Sequence, residues 1–172
     1  MEIERKFLLK EIPENLDTCP YCLIEQGYLC TSPVVRIRRQ NDEYYMTYKG
    51  SGMMSREEYN LPLTKEAYEH LLPKTDGNVI SKKRYLIPLS SEEINPECLS
   101  LLGGASLTVE LDEFAPPFAP LLLAEIEFPT EEAANAFRMP DWFSEDVTQD
   151  VRYHNSHMSK MSPASICEEF SP

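Results

Sequence analysis

Apolar and polar residues alternate along much of the chain, in runs short enough to be β-strands. In the first run, Glu2–Leu9, Ile3 and Phe7 share one face and charged residues take the other, because side chains two positions apart point to the same side of a strand. Similar runs follow at 23–30, 34–40, 44–49, 56–63, 79–89, 106–114 and 121–128. Turn-forming residues separate these runs, so the pattern predicts eight strands.

Helix signals are fewer and weaker than the strand signals. Thr64 is a candidate N-cap for a helix over 64–72, and Thr130 for a helix that ends before Pro140, since a threonine hydroxyl can accept from the first free backbone N–H groups. A third short helix is expected near 150–159, a loop over 90–104, and a frayed tail over 162–172. Eight strands with a few short flanking helices predict an all-β-dominated (α+β) fold, an eight-stranded antiparallel β-barrel over residues 1–161.

The length and the net charge of the chain argue against several classes of function. The chain has 172 residues, the size of one domain, and no apolar run approaches the length of a membrane-spanning helix. Its net charge of −13 argues against a nucleic-acid or membrane partner. Charged residues directly after Met1 argue against a leader peptide, and five cysteines, an odd number, fit a reducing cytoplasm. Assembly as a homodimer is left open.

Charged residues recur at strand spacing, and their signs segregate. Acidic pairs fall on the first, seventh and eighth predicted strands, and basic pairs on the third and sixth. Six of the 16 basic residues are expected to point into one cavity: Lys6, Arg36, Arg38, Lys49, Lys82 and Arg84. Adjacent like charges on one sheet face repel, so this pattern predicts that bound ligands relieve the repulsion, although a solvated sheet face remains the alternative.

The chemistry of the two charge groups indicates what such ligands would be. Carboxylate oxygens suit Mg²⁺ or Mn²⁺, while arginine and lysine suit phosphate oxygens. The spacing therefore predicts a local basic site, reached through a ring of acids, that binds a compact polyphosphate through a divalent metal.

Several of these segments also resemble a known family. The start Glu2-Ile3-Glu4-Arg5-Lys6 resembles the ExExK signature of the CYTH superfamily, the triphosphate tunnel metalloenzymes. Further segments match in order: Gln26-Gly27-Tyr28-Leu29, Val35-Arg36-Ile37-Arg38, Lys82-Lys83-Arg84-Tyr85, Glu110-Leu111-Asp112 and Glu125-Ile126-Glu127-Phe128. The resemblance extends to Arg152-Tyr153-His154-Asn155 and omits only 90–104 and the tail. The resemblance is strongest to the small bacterial inorganic triphosphatase branch.

This resemblance implies a charged tunnel that acts on triphosphates with Mg²⁺ or Mn²⁺, and it implies roles for individual residues. The implied metal-binding carboxylates are Glu2, Glu4, Glu125 and Glu127, with Glu58, Glu110 and Asp112 holding a second metal or positioning water. The implied triphosphate-binding residues are Lys6, Arg36, Arg38, Lys82 and Arg84. Asn60 departs from the family pattern, in which an acidic residue often follows two positions after Glu58, and this lowers the local negative charge.

The expected function is metal-dependent hydrolysis of inorganic tripolyphosphate to pyrophosphate and phosphate, an acid anhydride hydrolase activity. In that branch a Lys–Tyr pair is thought to be catalytic, and Lys49 and Tyr28 match it; the alternative is that Lys49 only binds phosphate and Tyr28 only lines the tunnel. Three other functions remain open: a class IV-type adenylyl cyclase, a nucleoside or thiamine triphosphatase, and a non-catalytic polyphosphate-binding module. Trp142 is interpreted as a packing residue, and His154 and His157 as surface histidines.

Overall fold

The computed structural model describes residues 1–170, and one antiparallel sheet dominates it. Its strands are β1 (Glu2–Leu9), β2 (Tyr21–Thr31), β3 (Val34–Gln40), β4 (Glu43–Lys49), β5 (Ser55–Arg56), β6 (Glu58–Pro62), β7 (Asp76–Pro88), β8 (Thr108–Phe114), β9 (Leu122–Glu127) and β10 (Phe143–Asp146). The order across the sheet is β10-β1-β9-β8-β7-β2-β3-β4-β6, and β5 pairs with β1.

The sheet closes on itself through β5 and β6, which are two arms of one bent strand. Arg56 in β5 pairs with Glu2 in β1, whereas Glu58 in β6 pairs with Lys49 in β4. Glu57, between the two arms, marks the bend. Counted as one strand, β5 and β6 complete a ring of eight with β10 as an extra strand beside β1, so the predicted eight-stranded antiparallel barrel is confirmed.

Within residues 1–170, five short α-helices flank the barrel: α1 (Lys65–Leu71), α2 (Pro96–Leu101), α3 (Glu131–Ala136), α4 (Asn155–Met158) and α5 (Pro163–Phe170). Both predicted N-caps form. The hydroxyl of Thr64 accepts from the backbone N–H of Ala67 at 3.1 Å, and that of Thr130 from Ala133 at 3.1 Å. No helix within residues 1–170 has the length and apolar content that crossing a membrane requires.

Two segments expected to be irregular are ordered instead. The expected loop over 90–104 contains α2, which begins at Pro96, where proline is well tolerated, and buries Cys98 completely. The tail expected to fray from residue 162 forms α5, because Ile166 and Phe170 pack into a hydrophobic cluster. Residues 171 and 172 of that predicted tail lie outside the described part of the chain.

The apolar faces of the strands point away from the barrel axis. On one side, Phe7, Val109 and Ile126 pack with residues of α2 and α3. On another, Ile80 and Leu123 pack with residues of α4 and α5. Because side chains alternate along a strand, this outward packing turns the charged faces inward, so the barrel encloses a charged interior.

Candidate active site

A cavity of about 90 Å³ runs inside the barrel. All the predicted site residues line it except Lys82 and Asp112: they are Glu2, Glu4, Lys6, Tyr28, Arg36, Arg38, Lys49, Glu58, Arg84, Glu110, Glu125 and Glu127. The six basic residues expected to share one interior are all buried. The pattern of charges at strand spacing therefore corresponds to an enclosed site and not to a solvated sheet face.

Lys82 and Asp112 lie behind the cavity wall and form an ion pair whose side chains are fully buried. Both oxygens of Asp112 also accept from Arg84, at 2.6 Å from Nε and 2.7 Å from Nη2. Burial, together with the charge of Arg84, lowers the pKa of Lys82 to about 8 although Asp112 opposes the shift. The structure thus gives this pair a supporting position beneath Arg84.

One side of the cavity neutralises its cations with carboxylates. We call it the carboxylate wall, formed by side chains of β1, β7, β8 and β9: Glu4, Lys6, Arg84, Glu110, Glu125 and Glu127. Lys6 pairs with Glu125 and, at 3.0 Å, with Glu4, and Arg84 pairs with Glu110 and, at 2.6 Å, with Glu125.

These pairs follow from the strand register, in which Lys6 lies opposite Glu125 and Arg84 opposite Asp112. The sequence-based expectation that only bound ligands relieve the charge repulsion is wrong for this wall. Basic and acidic strands are neighbours here, so opposite charges meet across the strand pairs.

On the other side of the cavity, the basic side chains have no carboxylate partner among the described residues. We call this side the arginine wall, formed by Arg36 and Arg38 of β3 with Gln26 of β2 and Thr47 of β4. Within residues 1–170 neither arginine has a carboxylate within 4 Å. Arg38 donates from Nε and Nη2 to Oε1 of Gln26 at 2.9 and 2.7 Å, and Arg36 from Nη2 to Thr47 at 3.1 Å.

The side chain of Arg36 shows two effects of lacking a carboxylate partner within residues 1–170. Its Nε is buried without a partner, and burial and the neighbouring Arg38 lower its pKa. Two adjacent cations with only neutral acceptors are therefore poised to receive an anion.

The seam where the barrel closes carries a third set of charges. Lys49 Nζ lies 2.6 and 2.7 Å from the oxygens of Glu2 and 2.8 Å from Glu58. Arg56 reaches Glu2 at 3.2 Å and Glu4 at 3.1 Å. We did not predict Arg56 as a site residue, although its position two residues before Glu58 places it on the same strand face and was a usable signal.

Burial and neighbouring groups shift the pKa values of Glu2, Lys49 and Glu58 at the seam. Burial and the nearby charge of Glu4 raise the pKa of Glu2 to about 7. Burial, with the charge of Arg36 among its further causes, lowers the pKa of Lys49 even though Glu2 and Glu4 oppose the shift. In Glu58, hydrogen bonds from Glu2 and Lys49 outweigh burial and lower the pKa to about 2.

Tyr28 lines the same cavity as Lys49 and is buried. In the described part of the chain no hydrogen bond joins the two, and the charges of Arg36 and Arg56 interact with the phenol. Within residues 1–170, the structure therefore brings the predicted pair into one cavity without a hydrogen bond between them.

The C-terminal segment covers part of the cavity with neutral polar groups. His154, Asn155 and Ser156 line it, which corrects the interpretation of His154 as a surface residue, while His157 is exposed. His154 Nε2 lies 3.0 Å from the carbonyl oxygen of Thr148. Burial and the charge of Lys6 lower the pKa of His154. A resemblance in sequence alone did not show that this segment folds back onto the barrel.

The carboxylates have the donor chemistry that Mg²⁺ and Mn²⁺ require. Glu4 and Glu127 are direct cross-strand neighbours, as are Glu110 and Glu125, and all four line the cavity. Across residues 1–170, however, no three acidic, histidine or cysteine side chains converge as a ready metal site. The donors fit such a metal, but several of them now face lysine or arginine.

Comparisons with known proteins agree on the family and the type of fold. A family model described as the CYTH domain matches residues 1–134. A protein of Nitrosomonas europaea named inorganic triphosphatase is 39% identical over 166 residues, covering 94% of this chain and 99% of that protein. One of Acetivibrio thermocellus with the same name is 34% identical over 169 residues, covering 92% and 93%.

Solved structures show the same similarity. A crystal structure of an inorganic triphosphatase matches with a TM-score of 0.66 and 36% identity, covering 95% of this chain and 97% of that one. A protein from Pyrococcus horikoshii OT3 matches with a TM-score of 0.51 and 20% identity, covering 79% and 83%, and so shares the fold.

Proposed function

The chain belongs to the CYTH domain family, as its motifs predicted, and we propose that it hydrolyses inorganic tripolyphosphate to pyrophosphate and phosphate. The observation that carries this proposal is the cavity itself: in the part of the chain that the structure describes, Arg36 and Arg38 have no carboxylate partner, and they face carboxylates across an enclosed interior. The two relatives named inorganic triphosphatase, each matched over more than nine-tenths of the chain, support the same substrate.

The arginine wall would bind the phosphate chain. A guanidinium presents paired N–H donors that match two phosphate oxygens, so Arg36 and Arg38 would hold the substrate's orientation as well as its charge. Lys6 and Arg84 on the opposite wall would contact it with their carboxylate partners still close by. Phosphoryl transfer depends mainly on such positioning and charge neutralisation.

A divalent cation, Mg²⁺ or Mn²⁺, is part of the proposal. Glu2, Glu4, Glu125 and Glu127 would hold it. Glu58 and Glu110 would assist, and Asp112 would act indirectly because Arg84 and Lys82 occupy its oxygens. When bound, the metal would supply positive charge to the phosphate oxygens. The support is the oxygen donor set alone.

Lys49 and Tyr28 are the proposed groups that handle the proton of the attacking water. The water oxygen forms a bond to the terminal phosphorus, the bridging P–O bond breaks, and pyrophosphate leaves. Lys49 is the better acceptor, because its lowered pKa raises the fraction of neutral amine near neutral pH. Tyr28, on the cavity surface near Arg36 and Arg56, would orient that water.

Charged groups that suit a phosphate chain, and not a platform for a nucleobase or a thiazolium ring, dominate the described part of the cavity surface. Its aromatic residues are Tyr28 and Tyr45, whereas Trp142 packs against Phe143 outside the cavity, with ring centroids 4.4 Å apart. The proposed substrate is therefore selected through its phosphates.

The test is phosphate release from tripolyphosphate, ATP, thiamine triphosphate, pyrophosphate and long polyphosphate, each with Mg²⁺ and with Mn²⁺. We expect the highest kcat/KM with tripolyphosphate. A higher value with ATP or thiamine triphosphate, or cyclic AMP as the main product from ATP, would replace the proposal with the corresponding alternative. Tight binding without turnover of any substrate would indicate a binding module.

A cytoplasmic location is also proposed, and the free thiols of Cys19, Cys22, Cys30 and Cys98 support it. Assembly as a homodimer and the lack of nucleic-acid and membrane partners stay predictions from the sequence.

A further inference from the structure

Gln26 is the least expected residue in the barrel interior, because it is polar, uncharged and completely buried. It lies in β2 directly opposite Arg38 in β3. Its Oε1 accepts two hydrogen bonds from Arg38, at 2.9 Å from Nε and 2.7 Å from Nη2. This single oxygen therefore fixes one whole edge of the guanidinium.

The orientation of the Gln26 amide is determined by this contact. A guanidinium has only donors, so the amide oxygen must face Arg38 and Nε2 must point elsewhere. Within residues 1–170 that Nε2 is buried and has no partner. An unpaired buried donor is unfavourable, so Gln26 serves Arg38 at the expense of its own second hydrogen bond. Such local violations are expected where function constrains a residue.

The neutrality of Gln26 distinguishes Arg38 from the cations of the cavity that pair with carboxylates. Lys6, Lys49 and Arg84 each contact at least one carboxylate, and an incoming anion must compete with that carboxylate. Arg38 is also held by side-chain hydrogen bonds, but their acceptor is neutral and leaves the charge of the guanidinium uncompensated.

We propose that Gln26 is the positioning residue for Arg38: its amide oxygen holds the guanidinium toward the cavity without neutralising it, so that Arg38 can bind a phosphoryl group of the substrate. The identity of that anion as tripolyphosphate rests on the proposed function above. Gln26 acts through Arg38 and does not itself line the cavity.

Three substitutions test separately the volume, the hydrogen-bond acceptor and the neutrality of the Gln26 side chain. Gln26→Met keeps the volume and removes the acceptor. Gln26→Glu keeps the acceptor oxygen, replaces the amide NH₂ group with a second oxygen, and adds a negative charge. Gln26→Asn keeps the amide but withdraws it by one methylene group, and it replaces Gln26→Met if that variant does not fold. Asn95→Leu is the matched control, because the amide of Asn95 joins Ala136 and Arg138 far from the cavity.

Binding of tripolyphosphate is measured by calorimetry in excess chelator and, with Mg²⁺, as KM and kcat for phosphate release. Loss of the hydrogen bonds to a charged group predicts that Gln26→Met weakens binding, and raises KM, by roughly tenfold or more with a smaller change in kcat. Gln26→Glu should also weaken binding, because the new ion pair must be broken. Asn95→Leu should lower the melting temperature and leave both constants unchanged.

A double-mutant cycle with Arg38→Met gives the decisive result. If Gln26 acts through Arg38, adding Gln26→Met to Arg38→Met should cause no further loss of affinity. An undiminished loss in that background, wild-type affinity in Gln26→Met, or unweakened binding in Gln26→Glu would each overturn the proposal. A wild-type protein that binds tripolyphosphate but does not hydrolyse it contradicts the proposed function alone, whereas one that binds none contradicts both.

Discussion

Both walls of the cavity contain buried basic side chains, but the walls differ in whether carboxylates balance the positive charge. On the carboxylate wall, Lys6 and Arg84 have their charges matched by neighbouring glutamates. On the arginine wall, Arg36 and Arg38 contact only neutral oxygen acceptors among the described residues. The positive charges of the carboxylate wall are balanced without a ligand, whereas those of the arginine wall are not. We infer that the carboxylate wall contributes more to holding the barrel together, and the arginine wall more to binding the substrate.

The strand order explains how one barrel produces both walls. The basic strand β7 lies beside the acidic strand β8, and β1 lies beside β9, so opposite charges meet. The basic strand β3 lies instead between β2 and β4, which present Gln26 and Thr47 to it. The difference between the walls is thus a consequence of which strands are neighbours.

The largest expected effect is on stability, from removal of Arg84. Its guanidinium contacts Glu110, Asp112 and Glu125. Breaking a buried ion pair from one side typically costs about 3–5 kcal/mol, because a buried charge is left uncompensated. Arg84→Met should therefore lower the free energy of unfolding by about that amount in urea denaturation.

Arg38→Met is the matched control for this first prediction. It removes a buried cation that has no carboxylate partner, so it should change the free energy of unfolding much less than Arg84→Met does. Equal losses from the two variants would contradict the distinction between the walls.

The second prediction concerns the carboxylate that this wall leaves unpaired. Glu127 lines the cavity beside Glu4 and makes no ion pair within residues 1–170. Glu127→Gln should lower activity by roughly a hundredfold or more if its charge helps to hold a metal, as expected for lost transition-state stabilisation. Thermal denaturation should show little change.

Glu4→Gln should lose a similar activity and, because Glu4 pairs with Lys6 and Arg56, also some stability. Excess chelator should abolish turnover of the wild-type protein. Full activity under chelation would show that these glutamates serve structure alone.

The third prediction concerns Lys49 and Tyr28, which line the cavity together with residues of both walls. A group that only binds substrate mainly raises KM when it is lost, whereas a group that handles the water's proton lowers kcat. Tyr28→Phe removes only the hydroxyl and should lower kcat by roughly 10²-fold, within the usual range for acid–base groups. Lys49→Ala should do the same, and the double variant should be far from multiplicative. Wild-type kcat for Tyr28→Phe at every pH would leave Tyr28 as part of the cavity surface.

The sequence predicted the barrel and most of the cavity because both rest on a period of two residues. Glu2, Glu4 and Lys6 share a face by that rule alone, and the same rule places Arg36 beside Arg38. It does not predict which strands become neighbours, so the pairing of Lys6 with Glu125 and the lack of a counter-ion at Arg38 became visible only in the fold.

Other features depended on contacts between distant parts of the chain. Helix α5 is held by Phe170 against Phe118, with ring centroids 6.2 Å apart, and His154 is buried because its segment returns to the barrel. Neither contact leaves a periodic pattern in the sequence. Helix α2, at six residues, is too short for a clear helical period.

The smallest expected effect is the pH dependence of stability from His154, which covers the cavity where the two charge signs meet. Burial lowers the pKa of His154, Lys6 and Arg56 act in the same direction, and Glu4 acts in the opposite direction. With its pKa lowered in the folded state, His154 takes up protons more readily when the chain is unfolded. Its contribution to stability is therefore complete above the ordinary histidine pKa of about 6.5 and is lost as the pH falls below it.

The comparison with His154→Gln isolates this contribution, because glutamine keeps a side-chain donor for Thr148 but does not titrate. The difference in melting temperature, wild type minus variant, should decrease between about pH 7.5 and 5.5, a window that spans the ordinary histidine pKa. His157→Gln, at an exposed position, should follow the wild type across the same range. An increase in the first difference at low pH would contradict this prediction. It would mean that the carboxylates, and not Lys6 and Arg56, set the electrostatic potential at this end of the cavity. The cations of the carboxylate wall would then be less available to an anion than Arg36 and Arg38 on the opposite wall.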